Sequence, residues 1–518
     1  MARTNKALVQ RTAAQVASIP APVGGWNARD SIANMDPADA YQLTNYFPSV
    51  SNLVLRGGFE NWATGISGQV QSLVNYSTGV ANKLFAWAGT SIFNVTTQGA
   101  VGAAEVTGLS NAKWEHINVT TAGGSYLYAV NGVDAPLLYD NSTWASITAI
   151  STIAITGVTT TTLSNISLFK NRVWFIQKDT LKAWYLPTGA VGGAAQVLDM
   201  SQIAKYGGTL VDLDTWTLDA GYGADDNLVF VTSNGEVIVW RGTDPASDAT
   251  WALAGVWKLG APVGKRCMMK YSGDLLIITL DGLLPLASAL QSSRLDPRVA
   301  LSNKIQGAIT TATVNYGSNF GWEILYSSKN NALWINVPVS EGSQQQYVMN
   351  NITKSWCNFT GWAANCFETF NDNPYFGGNG VVCKAWDDGY IDGTANIQTT
   401  VLQAFNYYES RGVKKYFTRA RPSIFTDGTP AVFVGMNVDF DTADTTSSLS
   451  FSPTSVALWG SALWGTGLWG AGLQITNNWQ GITGIGYCGG IQLKSSSAGL
   501  QIEWAATDVV YQTGWAGI

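Results

Sequence analysis

The chain has 518 residues, with 29 Lys and Arg against 35 Asp and Glu and a formal net charge of −6 at pH 7, a balance that excludes a surface built to grip nucleic acid tightly. Its one histidine, His116, excludes a histidine-cluster metal site and most histidine-based catalysis. Only 12% of residues are charged, while glycine numbers 55 and tryptophan 22, so the composition predicts an all-β, turn-rich protein of more than one unit, with part of its exterior buried against other chains.

In chain order, the opening "MARTNKALVQRTAAQVASIPAP" is basic but holds no apolar run, so no secretory signal is expected. No run of about 18 apolar residues predicts a membrane-spanning helix either. Asp36-Pro37 predicts a short helix over "ADAYQLTNYF", capped by the aspartate and ended at Pro48. Residues 1–62 thus read as an N-terminal arm with a short helix, docked on the C-terminal domain.

Between residues 63 and 395 one unit recurs: a small polar residue, alternating large apolar residues, then a Gly or Asn turn. Its copies are Asn82-"KLFAWAG", Ser125-"YLYAVNG", Asn171-"RVWFIQKD", Asp226-"NLVFVTSNG", Gly273-"DLLIITLDG", Asn331-"ALWINV" and Asn373-"PYFGGNG". By subtraction the starts lie 43, 46, 55, 47, 58 and 42 residues apart. Strand-hairpin units at this period predict a β-propeller of about seven blades, with six or eight also compatible. A single long β-sandwich is the alternative. Trp87, Trp174, Trp240, Trp334 and Trp386 sit in or beside the repeated strands, where core packing is the simplest role and a sugar-binding surface the other.

Residues 396–518 lose the repeat and read as a C-terminal β domain. Within it, "VALWGSALWGTGLWGAGLQI" (456–475) places Trp459, Trp464 and Trp469 five residues apart. That spacing fits neither one helix face nor one strand face. Written in fives, it resembles one coil of a pentapeptide-repeat β-helix, which cannot bury its own faces. The three indoles are expected either to anchor an interface with another chain or to close a local cluster in this domain.

Catalytic signals are sparse. The sequence has no Walker-type loop, no G-x-S-x-G and no H-E-x-x-H. Cys267, Cys357, Cys366, Cys383 and Cys488 are odd in number and lack metal-type spacing, as for reduced core thiols of a cytosolically made chain. Asp439, Asp441 and Asp444, and Asp387, Asp388 and Asp392, lack calcium-loop spacing and read as turn residues. No feature pairs two carboxylates as a glycosidase requires. The one basic cluster, "RGVKKYFTRARP", would put Lys415, Phe417, Arg419 and Arg421 on one face if extended. Such a stripe could touch phosphates, or be a solvated or inter-subunit face.

The stretch "GGWNARDSIANMDPADAYQLTNYFPSVSNLVLRGGFENWATG" (24–65) resembles the opening of tail nozzle or tail-tube proteins of short-tailed bacteriophages. The likeness rests on Trp26-Asn27-Ala28-Arg29-Asp30, Met35 to Ala40, Asn45 to Pro48 and Leu55-Arg56-Gly57-Gly58. Further matches are "YVMNNITKSWCNFTGWAANCF" (347–367), "YFGGNGVVCKAWDDG", "FTRARPSIF" and the Leu-Trp-Gly array. The resemblance implies a structural virion protein, made in the host cytoplasm and placed in the virion tail, that is not an enzyme and needs no cofactor. It implies a homo-oligomer, most simply a hexamer, forming a ring below the portal and adaptor through which the genome is retained and ejected. Implied partners are the tail adaptor, tail fibre or spike proteins and, transiently, passing phage DNA. In that setting Lys415, Arg419 and Arg421 would face the DNA channel or a neighbouring subunit, and Trp459, Trp464 and Trp469 would meet a neighbouring subunit or another tail protein. A carbohydrate-binding propeller for receptor recognition and a glycan hydrolase are the competing functions.

Overall fold

The computed structural model describes residues 13–79, 81–219, 224–290, 297–387, 389–444 and 473–514. The chain divides into two compact units, one of residues 1–58, 355–359 and 388–518, the other of 59–354 and 360–387. Trp459, Trp464, Trp469 and Asp388 lie outside the described residues.

The larger unit is a succession of small antiparallel sheets, and it has the repeated-sheet architecture of a β-propeller. The first sheet uses the C-terminal part of the long strand Gly58–Ser77, with Asn82–Ala88 and Ser91–Asn94. The second and third begin at Glu115–Thr121 and Leu163–Phe169 and continue through Gly124–Val130 and Arg172–Gln177. The fourth and fifth begin at Leu210–Asp219 and Met268–Tyr271, followed by Ala224–Thr232 and Asp274–Thr279. The sixth and seventh begin at Glu323–Ser327 and Cys366–Phe370, followed by Ala332–Ser340 and Asn373–Gly377. The seventh sheet ends on Asn379–Asp387, which pairs with Gly58–Ser77, so that one long strand serves both the first and the last sheet.

Each of the seven repeat copies is the second strand of its sheet. The reason is two-sided burial. Leu127 and Ala129 pack towards the first sheet, whereas Tyr128 and Val130 pack towards the third. In the same way Phe175 faces the second sheet, and Trp174 and Ile176 face the fourth. A strand covered on both faces is apolar at every position, not at alternate ones. Trp174 stacks on Trp251 at 5.7 Å and 14°, and Trp251 on Trp240 at 5.6 Å and 13°. Trp174 and Trp251, with fully buried Trp87 and Trp334, are core, and Trp240 is half-buried against them.

The smaller unit gathers both ends of the chain. Ile502–Thr513 pairs with Lys415–Thr426 on one side and with Gln15–Pro20 and Leu53–Leu55 on the other. Lys415–Thr426 pairs in turn with Gln480–Gly486 and Gln474–Thr476. A second sheet contains Asp39–Thr44, Ile397–Gln403, Gly489–Ser497 and Ala431–Val438.

The short helix expected at Asp36-Pro37 does not form. Asp36 Oδ1 accepts from Ala38 N at 2.8 Å, closing a single turn, and the chain enters the strand Asp39–Thr44 at once. Pairing of that strand with Ile397–Gln403, and burial of Ala40 and Leu43, outweigh the local helix signal. Pro48 accordingly ends a strand, Tyr46–Pro48.

Candidate functional site

In every one of the seven sheets the strand before the repeat copy carries a charged or amide residue: Asn75, Glu115, Asn165, Asp212, Lys270, Glu323 and Glu368 in turn. Side chains from these first strands, together with Arg266, line a common cavity of about 580 Å³. Its titratable groups are Glu115 and His116 from the second sheet, Asp212 and Asp214 from the fourth, and Arg266 and Lys270 at the start of the fifth. Glu323 and Glu368 come from the sixth and seventh.

Arg266 is the hub. Its Nε donates to Glu115 Oε1 at 3.1 Å and its Nη1 to Glu323 Oε2 at 3.0 Å. Its Nη2 donates to Ser72 Oγ at 2.7 Å and to the Trp114 carbonyl at 2.9 Å. Ser72 in turn accepts from Trp114 N at 2.9 Å. One guanidinium therefore ties together the first, second, fifth and sixth sheets, and Glu323 extends the tie to the seventh by accepting from Phe367 N. Burial acts against the Arg266 charge, but Glu115 and Glu323 more than offset it and hold its pKa above the ordinary value. Burial raises Glu323 to about 7, although the neighbouring Arg266 pulls the other way.

A second group surrounds Asp212. Its Oδ1 accepts from Asn165 Nδ2 at 2.8 Å and from Leu213 N at 2.9 Å, and its Oδ2 from Met268 N at 3.1 Å. Burial, and then the charges of Asp214 and Glu115, still push it up to about 8. Asp214 pairs with Lys270 at 3.1 Å. His116 Nε2 lies 3.5 Å from Glu368 Oε2. Burial and the positive charge of Arg266 hold His116 down at about 4, and burial raises Glu368 to about 7. At neutral pH this contact therefore involves an uncharged imidazole.

The chemistry of this cavity is that of an internally satisfied polar core. Every nitrogen of the Arg266 side chain is engaged with the protein, and among the described residues no group of three or more His, Cys, Asp and Glu is placed to hold a metal ion. Composition gave no hint of Arg266. The available signal was the acidic or amide residue recurring in the strand upstream of most repeat copies.

The basic stripe is split. Lys415–Thr426 is extended, but a bulge between Phe417 and Arg419 shifts the register against both flanking strands. Lys415 and Phe417 point inward, and after the bulge the inward positions are Ala420 and Pro422. Lys415 is fully buried, donates to the carbonyls of Ser410 and Tyr487, and has its pKa lowered by burial. Arg421 pairs with Asp508 at 2.7 Å and lies 4.9 Å from the Trp479 ring, leaving Arg419 exposed. The four side chains expected on one face do not share it.

The aspartates are turn and pairing groups. Asp439 Oδ1 accepts from Tyr487 N at 2.7 Å, Asp441 Oδ1 from Ala443 N at 2.9 Å, and Asp444 pairs with Lys494 at 2.7 Å. Asp392 holds the buried Arg56 at 2.8 and 2.5 Å, while Arg56 Nε donates to Asn45 Oδ1 at 2.9 Å. Asn27 Nδ2 reaches Asp39 at 2.8 Å and Asp30 at 2.9 Å. At Gly58 a Cβ would stand 1.9 Å from the Ile391 carbonyl oxygen, and at Gly25, where φ is +87°, 2.7 Å from that of Trp356. Asn27, Arg56, Gly25 and Gly58 thus belong to the internal framework of the smaller unit.

No protein-family model matches the chain, and no curated protein matches it. A solved structure titled "YCF48 bound to D1 peptide" aligns with 65% of this chain and 96% of its own, at 10% identity and a TM-score of 0.33.

Proposed function

We propose that this chain is a structural virion protein, a tail nozzle or tube subunit of a short-tailed bacteriophage, which assembles as a ring through which the genome is retained and ejected. One observation carries the reading. Segments that resemble that family lie far apart in sequence, at 24–65, 347–367, 375–389 and 417–425; of these, 24–58, 355–359 and 417–425 belong to one folded unit, and most of the remainder belongs to the other. Gly25 abuts Trp356, Arg56 pairs with Asp392, and Arg421 pairs with Asp508 in the strand that also binds Gln15–Pro20. The part of the likeness that lies in this unit therefore sits on a packed framework. The saturated Arg266 hub adds support, since a cavity whose cation is consumed by its own protein serves as scaffold.

Negative-stain imaging and native mass measurement of the purified chain test the proposal. A closed ring, six-fold in the simplest case, is expected, together with no turnover of glycans. A monomer that hydrolyses a glycan would overturn it. One observation favours that second reading: Glu323 and Glu368, with pKa values of about 7, line the same cavity, and poised carboxyls suit acid–base chemistry. Under it, Glu368→Gln would abolish turnover while leaving the fold intact.

A further inference from the structure

Natural sheets guard their edges with charge, proline, bulges or a covering element, because an open row of N–H and C=O groups recruits other strands. The larger sheet of the smaller unit has two edges without such charge. On one, Gln474–Thr476 and Gln480–Gly486 follow each other along Lys415–Thr426, and the whole run "QITNNWQGITGIG" (474–486) contains no charged residue and no proline. Ile475, Trp479 and Ile485 on it are 60%, 42% and 44% exposed. On the other side Gln15–Pro20, "QVASIP", pairs among the described residues with Ile502–Thr513 alone, carries no charge, ends on a proline whose carbonyl accepts from Gln403, and leaves Val16 64% exposed.

Strand direction makes these edges complementary. Across the sheet the order is Gln480–Gly486, Lys415–Thr426, Ile502–Thr513, Gln15–Pro20, and every neighbouring pair is antiparallel. With an even number of alternating strands, the two edge strands run in opposite directions. A second copy in the same orientation would bring its Gln480–Gly486 beside Gln15–Pro20 of the first, antiparallel again, with the alternation unbroken. The strands match in length, seven residues against six.

We propose that the occupant of this edge is a second copy of the chain: Gln15–Pro20 of one subunit pairs antiparallel with Gln480–Gly486 of the next, continuing the sheet from subunit to subunit. The contact is heterologous, one edge meeting a different edge, so it propagates around a ring and does not stop at a dimer. The apolar exposure of Val16 and Ile485 is then covered at each seam. This rests on the ring reading above and names the surface through which the ring forms.

The test is disulfide trapping in the full chain. Ser18→Cys is combined in turn with Gly481→Cys, Thr483→Cys and Ile485→Cys, all exposed positions on the two strands. The five native cysteines are buried and do not contribute a background. Under mild oxidation at least one pair is expected to shift the chain on non-reducing gels to dimer, trimer and higher multiples, with no shift in any single variant. If all three pairs remain monomeric while the unmodified chain forms rings, the seam is overturned and the tail reading survives. A ladder from a chain that is absent from the tail of mature particles would uphold the seam and overturn the tail reading. Neither ladder nor ring would overturn both.

Discussion

Replacing Arg266 by Met asks whether one guanidinium holds the first strands of the propeller unit together. The stem is largely kept, but the cation between Glu115 at 3.1 Å and Glu323 at 3.0 Å is lost, and Ser72 and the Trp114 carbonyl lose their donor. Removing one partner of a buried pair costs about 3–5 kcal/mol, and the lower end applies because the Arg266 side chain is 18% exposed. The loss depends on pH. Glu323 titrates at about 7 with Arg266 present, and Arg266 is what pulls it down, so its value rises further in the variant. The unfolded value is about 4.3, so the folded chain holds a proton that the unfolded chain releases. Stability from such a group is fully present below the unfolded value and lost as pH rises through the folded one. The deficit of the variant should therefore be smallest near pH 5 and grow towards pH 8, by roughly 1.4 kcal/mol for each unit the Glu323 value moves. Urea unfolding of both proteins at pH 5.5 and pH 8, followed by tryptophan fluorescence, measures this. A deficit below about 1 kcal/mol at pH 8, or an equal deficit at both pH values, would refute the hub.

Two further predictions concern single groups. Gly58→Ala places a Cβ against the Ile391 carbonyl, where the backbone has to move, so a loss of about 1–3 kcal/mol is expected; an unchanged thermal midpoint would contradict the close approach. Asp212 has a folded pKa of about 8, far above its unfolded value, so wild-type stability should fall as pH rises through about 8. Asp212→Asn removes that titration, and its melting temperature should decline less between pH 6 and pH 9 than that of the wild type. Parallel declines would show that Asp212 is not the group responsible.

The repeat was legible because the second strand of each sheet is covered on both faces, which writes a dense apolar run such as "LVFV" or "LLII" into the sequence. The first strands were not legible. They border a cavity, so Glu115, Asp212 and Glu323 interrupt their apolar pattern, and nothing local says that these residues meet. Arg266 stands before the strand Met268–Tyr271 with no motif around it. Its role exists only because separate sheets bring their first strands to one place. The basic stripe failed for a geometric reason: one bulge near Thr418 reverses which residues face inward, and period-two reasoning cannot see an inserted residue.

The sequence by itself determined that the chain would be built of β-hairpins at a regular period, since alternation, turn residues and two-sided burial are local consequences of side-chain chemistry. Only the tertiary structure decided that Asp36-Pro37 would lead into a strand, that Arg56 would find Asp392, and that Gln15–Pro20 would join a sheet whose long strands come from the last part of the chain. Those outcomes depend on backbone hydrogen bonds and buried charges whose partners are hundreds of residues away. The free energy of such contacts is written at both ends, and neither end shows it alone.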